Sequence, residues 1–314
     1  MRQVGAFEAK NTLGQLLDLV EQGEEVSREL RGSVRWESPR SAGLEGLLKA
    51  GYIHVVDADL KSYFDTIPKD RLLALVGKKV LDGRILALVE SFLEQGVLDG
   101  DREWTPEEGT PQGAVVSPLL SNIYLDPLDH RMAARGFEMV RYADDFVVLC
   151  RSPQDAADAL AEIQQWTAET GLKLHPTKTR LVNAQEEGFD FLGYHFEAGH
   201  RWPRKKSLMK FKDTIRAKTK RTSGHSLPTI ITDINRTLRG WFEYFKHSHR
   251  RTFKPMDGWI RRRLRSLLRK RLGQRGIAKV HGADHQRWPN AFFAELGLFS
   301  LQEAHALVRQ SSRR

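Results

Sequence analysis

The sequence predicts an α+β chain whose C-terminal third is helical. Three observations predict it. Two apolar runs of strand length, residues 52–56 (YIHVV) and 146–150 (FVVLC), sit among longer stretches of helical period. Those stretches carry start signals, of which Ser117-Pro118 is an N-cap followed by proline at the first helical position. From residue 205 onward the pattern is almost wholly helical.

Taken in order, residues 1–27 read as strand then helix. Gln3 to Phe7 is short and extended, and Leu13, Leu16, Leu17 and Val20 form one helix face closed by Gln22-Gly23. Residues 28–45 mix charge, Gly, Pro and Ser without a period and read as a junction. Leu44, Leu47 and Leu48 then give a short helix ending at Gly51. The strand at 52–56 runs into Asp57-Ala58-Asp59. Residues 68–97 are helical in pattern, 105–113 (TPEEGTPQG) form a loop, and 117–135 form the helix with the Ser-Pro start. Two apolar runs then flank Tyr142-Ala143-Asp144-Asp145, a strand-turn-strand pattern. A helix at 153–170 ends at a turn on Gly171, and strands follow near 172–174, 180–183 and 189–196.

The chain has 314 residues, enough for two domains, and 40% hydrophobic residues, enough for a core. No apolar run approaches the ~20 residues of a membrane span. The first residues, MRQVGAFEAKN, lack an apolar signal core, so a cytoplasmic protein is expected. A single cysteine, Cys150, excludes an internal disulfide and a multi-cysteine zinc site. It ends an apolar run and reads as a small buried side chain. The net charge of +10 suits a polyanionic partner or a uniformly solvated basic surface. Distribution separates the two. Residues 201–221 hold ten Lys/Arg against Asp213 alone, and 250–275 hold eleven against Asp257 alone. Trp202, Phe211, Trp241, Phe242, Tyr244, Phe245 and Trp259 interleave with these blocks, which favours nucleic acid.

The adjacent Asp144 and Asp145 carry the chemistry. Like charges side by side cost free energy unless a cation joins them. Mg²⁺ takes one or two carboxylates together with substrate phosphates. An isolated Asp-Asp is also an ordinary solvated turn. Phosphoryl transfer on a nucleic acid end commonly uses two Mg²⁺ held ~3.5–4 Å apart by shared carboxylates. That requires Asp side chains from separate strands, and Asp59, after the 52–56 strand, is the partner the sequence offers.

At these residues the chain resembles reverse transcriptases of the group II intron type. HVVDADLKSYFDTIP resembles their motif A, GTPQGAVVSPLLSNIYLDPLD motif B, RYADDFVVLC motif C, GLKLHPTKT motif D and FDFLGY motif E. DINRTLRGWFEYFKHS is similar to the start of their thumb or maturase domain, and WPNAFFAELGLFSL to its C-terminal end. The resemblance runs in order from about residue 46 to 310. It implies a polymerase palm, an antiparallel sheet with helices on one face, over 46–200, and an α-helical thumb and maturase domain over 201–314. It implies an RNA-directed DNA polymerase that uses two Mg²⁺, an RNA template or intron RNA, a DNA primer and deoxynucleoside triphosphates.

Carried over by position, Asp59 and Asp144 are the paired metal ligands, with Asp145 beside them and the Leu60 carbonyl completing the shell. Phe64 holds the steric-gate position, where a bulky ring collides with a ribose 2′ hydroxyl; ordinary core packing is the alternative. Gln112 and Gly113 abut the incoming nucleotide and template base, or form a plain Pro-Gly turn. Lys178 stands where the family places a lysine that protonates pyrophosphate, or is an exposed lysine on a strand edge. Phe191, Leu192, Gly193 and Tyr194 grip the primer, or form a core strand with a bulge glycine. Arg239, Trp241, Lys246, Arg261, Arg262, Arg263 and Arg265 fall on the RNA-binding surface, with the aromatics read as core and the cations as RNA contacts. His281 and His285 are four apart, with no further ligand to complete a metal set, and stay unassigned.

The chain departs from the family ahead of motif A. Only about 45 residues precede the palm, so fingers are expected to be largely missing and the chain to be N-terminally truncated; Pro39 to Ala42 is the candidate fingers remnant within 28–45. Residues 1–27 instead resemble the start of Phd/YefM-type antitoxins, small DNA-binding repressors, or form a generic strand-helix unit. Two rival functions follow: a non-catalytic RNA-binding maturase, and an antitoxin-like repressor.

Overall fold

The computed structural model describes residues 41–78, 80–94, 97–99, 102–104, 109, 117–274 and 282–311. The antitoxin-like segment, the residues up to 40, and Gln112 and Gly113 lie outside these. The chain divides into two compact units between Glu187 and Gly188.

The first unit is built on a four-stranded antiparallel sheet of order β4-β5-β1-β6. Its strands are β1 (His54–Ala58), β4 (Glu138–Tyr142), β5 (Asp145–Cys150) and β6 (Arg180–Asn183). β1 lies between β5 and β6, with Ala58 opposite Phe146 and Val56 opposite Val148. Every residue from Phe146 to Cys150 is buried, which explains why this strand reads as a continuous apolar run rather than an alternation. On one face, Val56, Ala58, Phe146, Val148 and Cys150 join a core with Leu120, Tyr124 and Leu128 of α5 (Ser117–Ala134) and Ile163 and Trp166 of α6 (Pro153–Thr170). Each such aliphatic side chain contributes roughly 1.5–3 kcal/mol on burial. α6 starts at a capping box in which Ser152 and Asp155 bond reciprocally, and ends at Gly171 with φ 79°. Arg131 of α5 ties the two helices by bonding Glu162 and, at 2.6 Å, Glu169.

The remaining elements of this unit are α1 (Ser41–Lys49), α2 (Tyr63–Thr66), α3 (Lys69–Gly77), α4 (Gly83–Leu93), β2 (Val97–Asp99) and β3 (Arg102–Trp104). The stretch expected to be helical over 68–97 is therefore two helices and a strand. Asp82 ends the continuity, because its carboxylate caps the second helix by accepting the Arg84 N–H at 2.8 Å. The β2–β3 hairpin has strands too short to show a period of two. The expected strand at 172–174 is an isolated bridge between Leu60 and Leu174.

The second unit begins with an antiparallel sheet of β7 (Phe189–Phe191), β8 (Tyr194–Glu197) and β9 (His200–Pro203). The run read as one strand over 189–196 is folded back on itself. Leu192 (φ 48°) and Gly193 (φ 78°) form a two-residue turn, and positive φ at both positions is what such hairpins require. There follow α7 (Lys205–Lys218), α8 (Leu227–Phe245), a 3₁₀ turn at Arg250–Thr252, α9 (Phe253–Arg271), α10 (Ala283–Arg287), α11 (Asn290–Glu295) and α12 (Leu301–Ser311). Phe211, Ile231, Ile234, Leu238, Phe242, Phe253, Ile260, Leu264, Phe293 and Leu301 form their shared core. Asp257, the lone acid of the second basic block, is buried and accepts the Leu301 and Gln302 N–H groups, both at 3.0 Å, at the start of α12. Among the described residues, no helix is long and apolar enough to cross a membrane.

Candidate active site

Asp59 directly follows β1, and Asp145 opens β5. Since Ala58 pairs with Phe146, the two acids step off the same end of the sheet. Asp144 lies in the two-residue β4–β5 turn, where Tyr142 pairs with Asp145. Asp144 is half-buried and Asp145 exposed. Ala143, first in the turn, has φ 54°, a left-handed conformation that costs a non-glycine residue about 1 kcal/mol or more.

Arg141 holds that turn. It is 5% exposed. Its Nε donates to Asp129 Oδ1 at 2.8 Å, a second nitrogen also bonds the Asp129 carboxylate, and a third donates to Asn122 Oδ1 and to the Ala143 carbonyl, both at 2.9 Å. Asn122 and Asp129 both belong to α5, so the Ser-Pro-Leu-Leu helix fixes the acidic turn through one guanidinium. Sequence reasoning passed over Arg141; its place next to an exposed acidic turn was the available signal.

A loop from motif D encloses Asp59. The His175 N–H donates to the Asp59 carbonyl at 2.7 Å, and the Lys61 N–H to the Lys173 carbonyl at 2.8 Å. These bonds flank the Leu60–Leu174 bridge and do not use the Leu60 carbonyl. Lys178 Nζ donates to Asp59 Oδ2 at 2.9 Å, with both side chains substantially open to solvent. The structure thus brings Asp59, Leu60 and Lys178 together.

Phe64 sits in α2, partly buried against the core, its ring 5.3 Å from that of Tyr63. The Tyr63 hydroxyl donates to the Ser121 carbonyl at 2.8 Å, and burial pushes the phenol pKa up. Gly109 packs on this turn. Its N–H donates to the Ile67 carbonyl at 2.8 Å, and at φ 91° a Cβ on it would lie 2.6 Å from the Phe64 oxygen. Glycine is obligatory for that approach. The sequence reading put the loop contact to the nucleotide at Gln112 and Gly113, outside the described residues; Gly109 was missed because it stands among loop residues without a period.

Among the described residues, no three His, Cys, Asp or Glu side chains form a metal-holding cluster. A Mg²⁺ that completes its shell with substrate phosphates needs only one or two carboxylates. The donors here fit it: hard oxygens, open to solvent, with Asp59 already drawing the Lys178 cation.

In the second unit, Phe191 and Tyr194 are buried, and the Leu192-Gly193 turn is clasped by α8. Tyr244 stacks on Tyr194 at 5.9 Å, donates its hydroxyl to the Leu192 carbonyl at 2.7 Å and accepts the Tyr194 hydroxyl on its own carbonyl. Trp241 packs against Phe211 at 4.5 Å as part of the core. Arg239 is exposed, with its guanidinium over the Phe299 ring at 4.7 Å. Lys246 pairs with Glu243 at 2.8 Å. Arg261 and Arg262 line a cavity, whereas Arg263 turns toward α7 and bonds Thr219 Oγ1 at 2.7 Å. Arg265 is buried, donating to the Trp288 carbonyl at 2.8 Å and to Asn290 at 2.9 Å.

Residues 21–196, more than half of the chain, match the family model described as Reverse transcriptase (RNA-dependent DNA polymerase). Residues 208–284 match the one described as Group II intron, maturase-specific domain. The first match takes in the 28–45 stretch ahead of motif A. Over 218 residues the chain is 29% identical to Protein YkfC of Escherichia coli, covering 57% of this chain and 55% of that one. Over 74 residues it is 40% identical to the group II intron-encoded protein LtrA of Lactococcus lactis subsp. cremoris, covering 24% of this chain and 12% of LtrA. Apo telomerase from Candida tropicalis shares the fold at TM-score 0.51 and 13% identity, over 74% of this chain and 50% of that one. The chain spans about half or less of the length of the curated relatives it matches. With its acidic turn beside Asp59 and both domain matches in order, the chain belongs to the reverse transcriptase (RNA-dependent DNA polymerase) family and carries a group II intron maturase-specific domain.

Proposed function

We propose that this chain is an RNA-directed DNA polymerase of group II intron type, working in the cytoplasm, whose maturase-specific domain binds intron RNA and supports its splicing. The observation that carries the reading is the meeting of Asp59, the Asp144-Asp145 turn and Lys178 at one end of the sheet. The family generally uses divalent metal ions. Asp59, Asp144 and Asp145, with the Leu60 carbonyl, are the residues that would hold two Mg²⁺. When bound, these supply the positive charge that activates a primer 3′ hydroxyl and neutralises the triphosphate of the incoming deoxynucleotide.

The chain's own residues do the rest. Arg141 keeps the acidic turn in place through Ala143. Phe64, propped by Gly109, closes the space a ribose 2′ hydroxyl would need. Lys178, held on Asp59 at 2.9 Å, is the residue that would donate a proton to the departing pyrophosphate. By the motif B resemblance, Gln112 and Gly113 are assigned to the incoming nucleotide and template base. Phe191, Leu192, Gly193 and Tyr194 are assigned to the primer strand. Arg239, Lys246, Arg261, Arg262, Arg263 and Arg265 supply the positive potential for template or intron RNA, with Trp241 supporting α8 from the core.

Primer extension on poly(rA)/oligo(dT) tests the reading. Wild type extends the primer, and Asp144→Asn lowers the rate by at least about a hundredfold. No extension by wild type, together with tight RNA binding, would leave a non-catalytic RNA-binding maturase.

A further inference from the structure

A cavity of about 350 Å³ opens in the second unit against α9, lined in part by Trp259, Arg261, Arg262, Arg265, His285 and Asn290. Among the described residues, no carboxylate lines it. The acids close by in the fold are engaged elsewhere. Asp284 accepts from one Arg269 nitrogen on both of its oxygens, at 2.8 and 2.9 Å, and Asp257 caps α12. Arg265 is fixed in the wall by Trp288 and Asn290. Its burial and the neighbouring Arg261 charge both lower its pKa, with Asp284 opposing them, and a bound anion would relieve the crowding of the two guanidinium groups.

The Trp259 ring is half-buried and borders the cavity. Arg263 at 5.6 Å, Arg216 at 5.7 Å and Lys212 at 5.9 Å lie over the ring as well, and none of these three lines the cavity. An indole in the wall, the guanidinium groups of Arg261, Arg262 and Arg265 and a volume near the lower end of ligand cavities suit one planar, anionic group. A duplex is too wide to enter. A single nucleotide offers both a π-face for the indole and a phosphate for the arginines.

We propose that this cavity captures one unstacked nucleotide of the bound RNA, its base against Trp259 and its phosphate on Arg261 and Arg262, with Asn290 and His285 at the base edge. The proposal rests on the RNA-binding reading of the maturase-specific domain and names the feature of RNA it selects. A base already free of its stack enters at least cost, so the domain prefers a bulged helix to a continuous one.

The test uses the full-length protein and two RNA hairpins of matched sequence, one fully paired and one carrying a single 2-aminopurine bulge. Binding of the bulged hairpin is expected to be about tenfold tighter at fixed salt, with a change in 2-aminopurine emission on binding. Trp259→Phe retains that ratio, Trp259→Ala erases it, and Arg262→Gln, at an exposed position, reduces it. Equal wild-type affinity for the two hairpins overturns the cavity proposal and leaves RNA binding standing. A ratio unchanged in both Trp259→Ala and Arg262→Gln overturns it as well. Failure to bind either hairpin would instead remove the RNA-binding reading on which it rests.

Discussion

Arg141 positions the acidic turn, and Gly109 the backbone under Phe64. Arg141 is buried and has Asp129, Asn122 and Ala143 as partners. Arg141→Ala leaves the Asp129 carboxylate without its cation and the strained Ala143 without its bond. The expected loss is about 3–5 kcal/mol, read from chemical denaturation, and primer extension should fall with it even at temperatures where the variant stays folded. Gly109→Ala places a methyl group 2.6 Å from the Phe64 carbonyl and 2.8 Å from the Asp65 Cα, so the backbone under Phe64 has to move. Preference for deoxy- over ribonucleotides should then drop by about tenfold or more, measured as the ratio of kcat/KM values. An unchanged ratio would dissociate Phe64 from sugar selection. Asp59 and the acidic pair were legible in the sequence because charge at the ends of apolar strands has no packing reason. Arg141 and Gly109 were not, because their roles exist only where the chain folds α5 back onto β4 and brings Gly109 against α2.

Element by element, the strongly patterned pieces were legible. The capping box and Gly171 bound α6 where the residues suggested, since caps act within a turn of the helix they close. The weakly patterned pieces were not. The 189–196 run is split by a Leu192-Gly193 turn, which a strand with a bulge glycine imitates in sequence. Packing in the helical unit carries a pH consequence. Burial lowers the pKa values of His247, His249 and His305 below the usual 6.5, aided by neighbouring cations. A group whose folded pKa is depressed in this way is held neutral by the fold. The unfolded chain takes protons first as pH drops below about 6.5, so stability is complete above that value and is lost toward the lower folded values. Thermal melting should show a falling Tm between pH 7.5 and 5.5. A flat profile across that window would mean the three rings protonate freely in the folded unit.

For the molecule as a whole, charge is a long-range property that salt reports directly. Cations on single-stranded RNA contribute a slope of about −0.7 each to log affinity against log salt. Replacing Arg239, Arg261 and Arg262 together by Gln should therefore make the slope shallower by about 2. A slope equal to that of wild type would place the RNA on another surface. The excess charge of +10, its concentration in two C-terminal blocks, the α+β and helical halves and the acidic motif order all follow from composition and short-range pattern, so the family was legible from residue order alone. It could not decide which cations are free. Tertiary structure buries Arg265, turns Arg263 inward to Thr219 and leaves Arg239 and Arg262 exposed, although all four read alike along the chain. It also sets Lys178 on Asp59 across 119 positions. Such pairings depend on distances through space, which residue order constrains only once the core has closed.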